Sequence, residues 1–291
     1  MKRRPGPVLL AIMDGVGYGK HEQGDAVASA LTPTLDWLHA NCPQIPLKAH
    51  GKAVGLPSDE DMGNSEVGHN AIGSGRVFKQ GAKLVSNSIA TGAMFAEPVW
   101  QELVGNCKAR GSALHFIGLF SDGNVHSHLD HLQAMLTQAK EDGVTRARVH
   151  ILLDGRDVGE TSALEYVDPF EDFLAGLNAA GEADFRIASG GGRMFVTMDR
   201  YQANWELVER GWETHVHGKG RLFGSAREAI ETLRSETGAI DQDLPAFVIA
   251  QDEEPIGRIV DGDSVVFFNF RGDRSLEITK AFEADEITKV I

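Results

Sequence analysis

The chain has 291 residues, 42% of them hydrophobic and 24% charged, and a formal net charge of −14 at pH 7. That composition is that of a folded, soluble protein long enough for one large or two modest domains. No basic block exceeds Lys2-Arg3-Arg4 and no apolar stretch approaches the roughly 18 residues of a membrane span, so neither nucleic acid nor a membrane is an expected partner.

Cys42 and Cys107 are the only cysteines and form no CxxC pair, which argues against a disulfide framework or a cysteine zinc site. "VLLAIM" is too short for the apolar core of a signal peptide, and a reducing, cytoplasmic setting is expected.

In chain order, "PVLLAIMDG" (7–15) predicts a first buried strand ending at Asp14. Thr32-Pro33 reads as the N-cap and first position of a helix carrying Leu35 and Leu38. "EDMGNSEVGHNAIGSG" (60–75) places Ser65 at a helix start, with Val67 and Ala71 at helical spacing. Two readings of Ser65 stay open on local grounds. It is an N-cap with Glu66 in the first turn, or a nucleophile whose alkoxide is stabilised by the positive helix end and a metal.

Four more apolar runs with polar or glycine-rich ends follow: "LHFIGLFSDG" (114–123), "RVHILLDGRD" (148–157), "FRIASGGGR" (185–193) and "SVVFFNFRGD" (264–273). Between them lie two helical stripes. Leu129, Leu132 and Leu136 follow a predicted Ser127 N-cap with Asp130 three residues on; Tyr201, Trp205, Val208 and Trp212 follow Asp199 with Gln202 three residues on. Alternation of this kind implies an α/β fold with mainly parallel sheets and flanking helices, and a ligand site beyond the carboxyl ends of the strands.

The residues delivered to those ends are the site candidates. Asp14 is a turn residue or a carboxylate ligand for a divalent metal. Of His126, His128 and His131, the last two fall on the predicted helix, and His126 is the expected functional histidine, placed where an acid or base is useful. Arg156, Arg193, Arg200, Arg271 and Arg274 gather at or near three strand ends of an acidic protein, and guanidinium forks suit phosphate and carboxylate. Asp157 reads as a residue orienting Arg156, and Asp199 as a cap. No GxxxxGK[ST] occurs and no GxGxxG follows a strand, which argues against a nucleotide loop.

Together, "MDGVGYG", "GLPSDEDMGNSEVGHNAIGSGR", "SDGNVHSHLDHL", "DGRDVG", "GGGRMFVTMDR" and "NFRGDR" resemble the cofactor-independent phosphoglycerate mutases of the alkaline phosphatase superfamily, and the longer "GGGRMFVTMDR" resembles their plant and trypanosomatid branch. The resemblance implies interconversion of 3-phosphoglycerate and 2-phosphoglycerate through a phosphoserine on Ser65, without 2,3-bisphosphoglycerate. It implies two divalent metal ions, usually manganese, with Asp14 and Ser65 among the ligands. His126 would lie close to the transferred phosphate, and Arg156, Asp157, Arg193, Arg200, Arg271 and Arg274 would hold glycerate and phosphate.

It further implies that residues 1–79 are the N-terminal part of a phosphatase-like domain carrying metal and nucleophile, that 80–291 form an inserted α/β transferase domain, and that a hinge lies near 76–82. A monomer is expected. The family's remaining Asp/His-rich metal ligands and one lysine near the phosphate have no counterpart after Arg274, so the chain reads as truncated at its C-terminus. Two alternatives follow: a catalytically incompetent fragment that binds phosphoglycerate or a partner chain, or another phosphomutase or phosphatase of the superfamily.

Overall fold

The structure, a computed structural model, describes residues 6–13, 16–17, 19, 23–77, 79 and 81–284. Asp14, an expected metal ligand, lies outside the described residues.

The N-terminal part comprises α1 (Ala26–Ser29), α2 (Pro33–Asn41), a 3-10 turn at Gly51–Val54 and α3 (Ser65–Ser74). Thr32 and Pro33 take the expected N-cap and N1 positions, although α2 buries no residue. The strand expected over 7–15 is not formed by residues 7–13, whose backbone pairs with no strand among the described residues. Val8 and Leu9 are 85% and 89% exposed. An apolar run becomes a strand only when a neighbour takes up its N–H and C=O groups, and none does here. Among the described residues, buried apolar side chains in this part are confined to Val54, Leu56 and Val67.

The remainder runs α4 (Gly81–Ala90), α5 (Ala93–Ala96), α6 (Pro98–Arg110), β1 (Leu114–Phe120), α7 (Leu129–Glu141), β2 (Arg146–Leu153), α8 (Ala163–Asn178), β3 (Asp184–Gly192), α9 (Trp205–His215), β4 (Arg221–Phe223), α10 (Ala226–Thr237), β5 (Phe247–Gln251), β6 (Glu254–Pro255), β7 (Ser264–Phe267) and α11 (Leu276–Glu283). The sheet order is β4-β5-β3-β2-β1-β7, with β6 pairing β5. β7, β1, β2 and β3 are mutually parallel, while β5 runs antiparallel to β3 and carries β4 parallel to itself. The fold is therefore α/β with a mainly parallel sheet, as expected, and its antiparallel edge is an addition.

Helices on both faces make three layers. Side chains from α6, α7, α8 and α10 pack with Phe116, Val149, Ile151, Phe185 and Ile187 into the main core. On the opposite face Ile117, Leu119 and Leu152 meet Val196, Met198 and Phe282, and α9 packs on α11 through Val208, Ile278 and Trp212. Burial on both faces explains why β1 and β2 read as largely apolar runs, interrupted by His115, Arg148 and His150.

Both predicted caps are displaced. The N-cap of α7 is His128, whose side chain accepts from Asp130 N; Ser127 Oγ instead donates to the Leu119 carbonyl. For α9 the N-cap is Asn204, and Asp199 Oδ2 accepts from Asn204 N at 3.0 Å. Tyr201 and Gln202 sit between them with φ of 63° and 56°, so the chain turns before the helix begins.

Candidate functional site

The four parallel strands deliver their following loops to one edge of the sheet. His126 follows β1, Asp154, Arg156 and Asp157 follow β2, Arg193 follows β3, and Arg271 and Arg274 follow β7. The loop before α9 adds Arg200 to the same edge.

Arg193 is 1% exposed and is clamped by two carboxylates: its Nη1 lies 2.9 Å from Asp154 Oδ1 and 2.5 Å from Asp157 Oδ2. Asp157 therefore pairs with Arg193, not with Arg156 as expected. Asp154, absent from the expected set, organises the loop: it accepts from Ser121 Oγ at 2.6 Å and from the backbone N–H groups of Arg156 and Asp157. The glycines before Arg193 allow this. A Cβ on Gly192 would lie 2.2 Å from the Gln242 carbonyl, so only glycine lets the chain from 241–243 pass so close. Arg193 Nε is buried with no hydrogen-bond partner, a donor still available to an anion.

Asp273 is the second organising carboxylate. His126 Nδ1 lies 3.4 Å from its Oδ1, while Arg271 Nη2 at 3.0 Å and Arg200 Nη1 at 3.5 Å approach Oδ2. Burial alone would raise Asp273, but the His126 contact and the Arg271 charge more than offset it and hold the carboxyl down to about 2. His126 is 3% exposed. Burial lowers its pKa and the Asp273 contact only partly opposes that, so the ring is neutral at pH 7. Arg274, also buried, donates Nη1 to the Met198 carbonyl at 2.7 Å. Burial, then the charges of Arg193 and Arg200, push Arg274 down to about 10, so these guanidinium groups share one electrostatic field.

Arg156 is exposed at the rim, close enough to lower Arg274 further. Five arginines thus face three aspartates, an arrangement short of negative charge. His131 is buried and shares a hydrogen bond with Ser86 Oγ at 2.8 Å, and His128 caps α7, so neither joins the site.

Ser65 lies on the N-terminal part. Asn64 is the N-cap of α3 and accepts from Val67 N, which leaves Ser65 as the first helical residue, exposed, with Oγ 3.2 Å from His69 Nδ1. The cap reading of Ser65 is thereby replaced. Glu66 Oε2 lies 3.0 Å from Arg271 Nε, and Asn124 Nδ2 donates to Asp61 Oδ1 at 2.6 Å, so the two parts meet beside the arginine loop. Leu56, Val67, Ala82, Val125 and Phe270 pack around this junction.

Among the described residues no group of three or more His, Cys, Asp or Glu side chains converges in a way that could hold a metal ion. His69 is the one potential donor beside Ser65 among the described residues, which do not by themselves fit the expected metals. No helix among the described residues is long and apolar enough to cross a membrane.

Arginines and a neutral histidine at the carboxyl ends of a parallel α/β sheet form a cluster whose chemistry suits a small anionic molecule. Residues 85–290 match the family described as "BPG-independent PGAM N-terminus", and the chain belongs to that family. It is 59% identical over 285 residues to a probable 2,3-bisphosphoglycerate-independent phosphoglycerate mutase of Leptospira interrogans, covering 97% of this chain and 52% of that protein. Identity to the 2,3-bisphosphoglycerate-independent phosphoglycerate mutase of Trypanosoma brucei brucei is 50%, again over 97% of this chain and 52% of the relative. A solved structure of Leishmania mexicana phosphoglycerate mutase at low cobalt concentration superposes with a TM-score of 0.91 at 48% identity, covering 94% of this chain and 50% of that one. The chain thus spans about half the length of the curated relatives it matches.

Proposed function

We propose that this chain supplies the nucleophile and the substrate receptor for interconversion of 3-phosphoglycerate and 2-phosphoglycerate, without 2,3-bisphosphoglycerate, in the cytoplasm. One observation carries the reading. Arg156, Arg193, Arg200, Arg271 and Arg274 converge beside neutral His126, and the helix beginning at Ser65 is tied to that cluster through Glu66 and Arg271. The family relationship and the names of the relatives support it.

In this reading the guanidinium groups bind the carboxylate and phosphoryl oxygens and neutralise the charge that spreads over the phosphoryl oxygens in transfer. Ser65 Oγ gives up its proton and attacks phosphorus, the bond from phosphorus to the glycerate oxygen breaks, and that oxygen takes up one proton in exchange, so none is gained or lost over the step. The positive end of α3 favours the anionic groups near Ser65. The glycerate then turns, and its other hydroxyl takes the phosphoryl group from Ser65 and gives up its proton. With His126 Nδ1–H facing Asp273, Nε2 is left to accept a hydroxyl proton and return it. A divalent metal, manganese in this proposal, would use Asp14 and Ser65 and needs donors beyond the described residues. The 1–79 and 80–291 division, with a hinge near 76–82, belongs to the same proposal.

A second reading rests on the exposed Ser65 and its lack of companion donors beyond His69 among the described residues: the chain binds phosphoglycerate but turns it over poorly. A coupled mutase assay with manganese and no 2,3-bisphosphoglycerate, run on this chain beside the Leptospira relative, separates the two. In whichever protein turns over, replacing Ser65 or its counterpart by alanine lowers the rate at least about a thousandfold. An alanine variant of unchanged rate removes the phosphoserine route.

A further inference from the structure

A line of polar side chains crosses the sheet between layers that are otherwise apolar. Asp263 Oδ2 lies 3.1 Å from His115 Nε2, and His115 Nδ1 lies 2.9 Å from His150 Nε2. His150 Nδ1 is 2.7 Å from Ser189 Oγ, which is 2.8 Å from His215 Nδ1; His215 Nε2 is 3.0 Å from Thr197 Oγ1. His115, His150, Ser189, His215 and Thr197 are each at most 1% exposed, and the Asp263 side chain is 5% exposed.

With one proton on each ring, the chemistry of the groups fixes the direction of this chain. A carboxylate only accepts, so His115 carries its proton on Nε2 and offers Nδ1 as an acceptor. His150 Nε2–H fills that acceptor, Ser189 O–H donates to His150 Nδ1, His215 Nδ1–H donates to Ser189, and Thr197 O–H donates to His215 Nε2. His150 and His215 then each carry a single proton. Burial first, aided for His150 by the neighbouring rings, pushes His150 well below the usual range and His215 down to about 3, in agreement. Every buried donor and acceptor on the line has one partner, the condition under which such a network rigidifies a core.

The line ends where the anion receptor begins. Thr197, a β-branched residue, is held at φ 70°, a strained conformation that persists only where its surroundings impose it. Three restraints meet on it: its N–H donates to the Leu207 carbonyl at 2.8 Å, its hydroxyl donates to His215, and Gly211 leaves room, since a Cβ there would lie 2.2 Å from Thr197 Oγ1. The carbonyl of the next residue, Met198, is the acceptor for Arg274 Nη1.

We infer that the hydrogen-bonded line from Asp263 through His115, His150, Ser189 and His215 to Thr197 positions Arg274, by holding Thr197 in its left-handed turn so that the Met198 carbonyl faces the guanidinium. These are positioning residues, and only the choice of 3-phosphoglycerate as the test ligand rests on the proposed function.

The test uses the whole chain with Thr197→Val, which removes the hydroxyl and keeps the shape, Thr197→Ser, which restores it, and Ser189→Ala, which cuts the line in its middle. Nitrogen NMR reads the tautomer of each histidine and the solvent exchange of the Arg274 guanidinium protons, and calorimetry reads 3-phosphoglycerate affinity. The wild type is expected to show His115 and His150 protonated on Nε2 and His215 on Nδ1. Thr197→Val and Ser189→Ala should speed Arg274 exchange and weaken 3-phosphoglycerate binding, each by about tenfold, with Thr197→Ser within about twofold of wild type. Wild-type-like exchange in Thr197→Val, or a wild-type His215 protonated on Nε2, overturns the inference. If Thr197→Val does not fold, the tautomer pattern and Ser189→Ala decide it. Arg274 exchange that responds as expected in a protein that does not bind 3-phosphoglycerate keeps the positioning role and removes the proposed function.

Discussion

From Leu114 to Glu283 the central strands β1, β2 and β3 are buried on both faces and their apolar side chains join continuous cores, whereas between residues 6 and 77 the described apolar burial is limited to Val54, Leu56 and Val67. Leu9, Leu31, Ile45 and Leu47 are all more than 80% exposed. The proposed anion receptor stands on the first of these regions and Ser65, the proposed nucleophile, on the second. A receptor built from buried arginines needs a rigid frame, because every guanidinium taken from water must keep its partners. A nucleophile at a helix start needs only the local turn that points it and a contact with the receptor, here supplied by Glu66 and Asp61.

Substitutions in the two regions should therefore differ in kind. Arg193→Met leaves Asp154 and Asp157 buried without their cation and should cost about 3–5 kcal/mol in urea unfolding, together with loss of 3-phosphoglycerate binding. Comparable stability in the variant would mean the clamp is not part of the frame. Leu136→Ala, at a fully buried position, should cost about 2–5 kcal/mol, and Leu9→Ala should stay within about 0.5 kcal/mol. Equal costs would erase the contrast.

Acid should act on the packed region first. His150 and His215 are neutral in the fold well below their unfolded pKa near 6.5, so the unfolded chain binds protons that the folded chain does not. Stability is present above that pKa and is lost as pH falls from about 6.5 toward the folded value of about 3 for His215, at up to about 1.4 kcal/mol per pH unit for each ring. Asp273, lowered to about 2, loses its contribution only as pH falls below about 4. A melting temperature flat between pH 7 and 4.5 would contradict this. A small effect is expected from Glu66→Gln, a half-exposed partner of Arg271: stability changes by under about 1 kcal/mol, and limited proteolysis near 76–82 quickens.

Much of this was legible in the amino-acid order. The runs at 114–120, 148–153, 185–192 and 264–267 became strands because parallel strands covered on both faces are largely apolar. The same logic misled at 7–13, since an apolar run does not carry its own ladder partners. β4 and β6, of three and two residues, are too short for any periodicity to show. The arginines were visible as residue types at strand ends, but their partners were not. Asp154 was overlooked although "LLDG" ends a strand just as "IMDG" was read to do, and which carboxylate holds Arg193 is decided by the fold. The histidine line is hidden further, its members being 18 to 148 residues apart along the chain at each step. Its one local trace is a histidine at 115 and at 150 inside runs that are otherwise apolar.

The division of labour between receptor and nucleophile is tested most directly by calorimetric titration of 3-phosphoglycerate into the wild-type chain, Ser65→Ala and Arg156→Met. The account predicts that Ser65→Ala binds as wild type does, while Arg156→Met, which removes an exposed rim cation without disturbing the frame, binds about tenfold more weakly. Equal affinity in Arg156→Met, or loss of binding in Ser65→Ala, would contradict it.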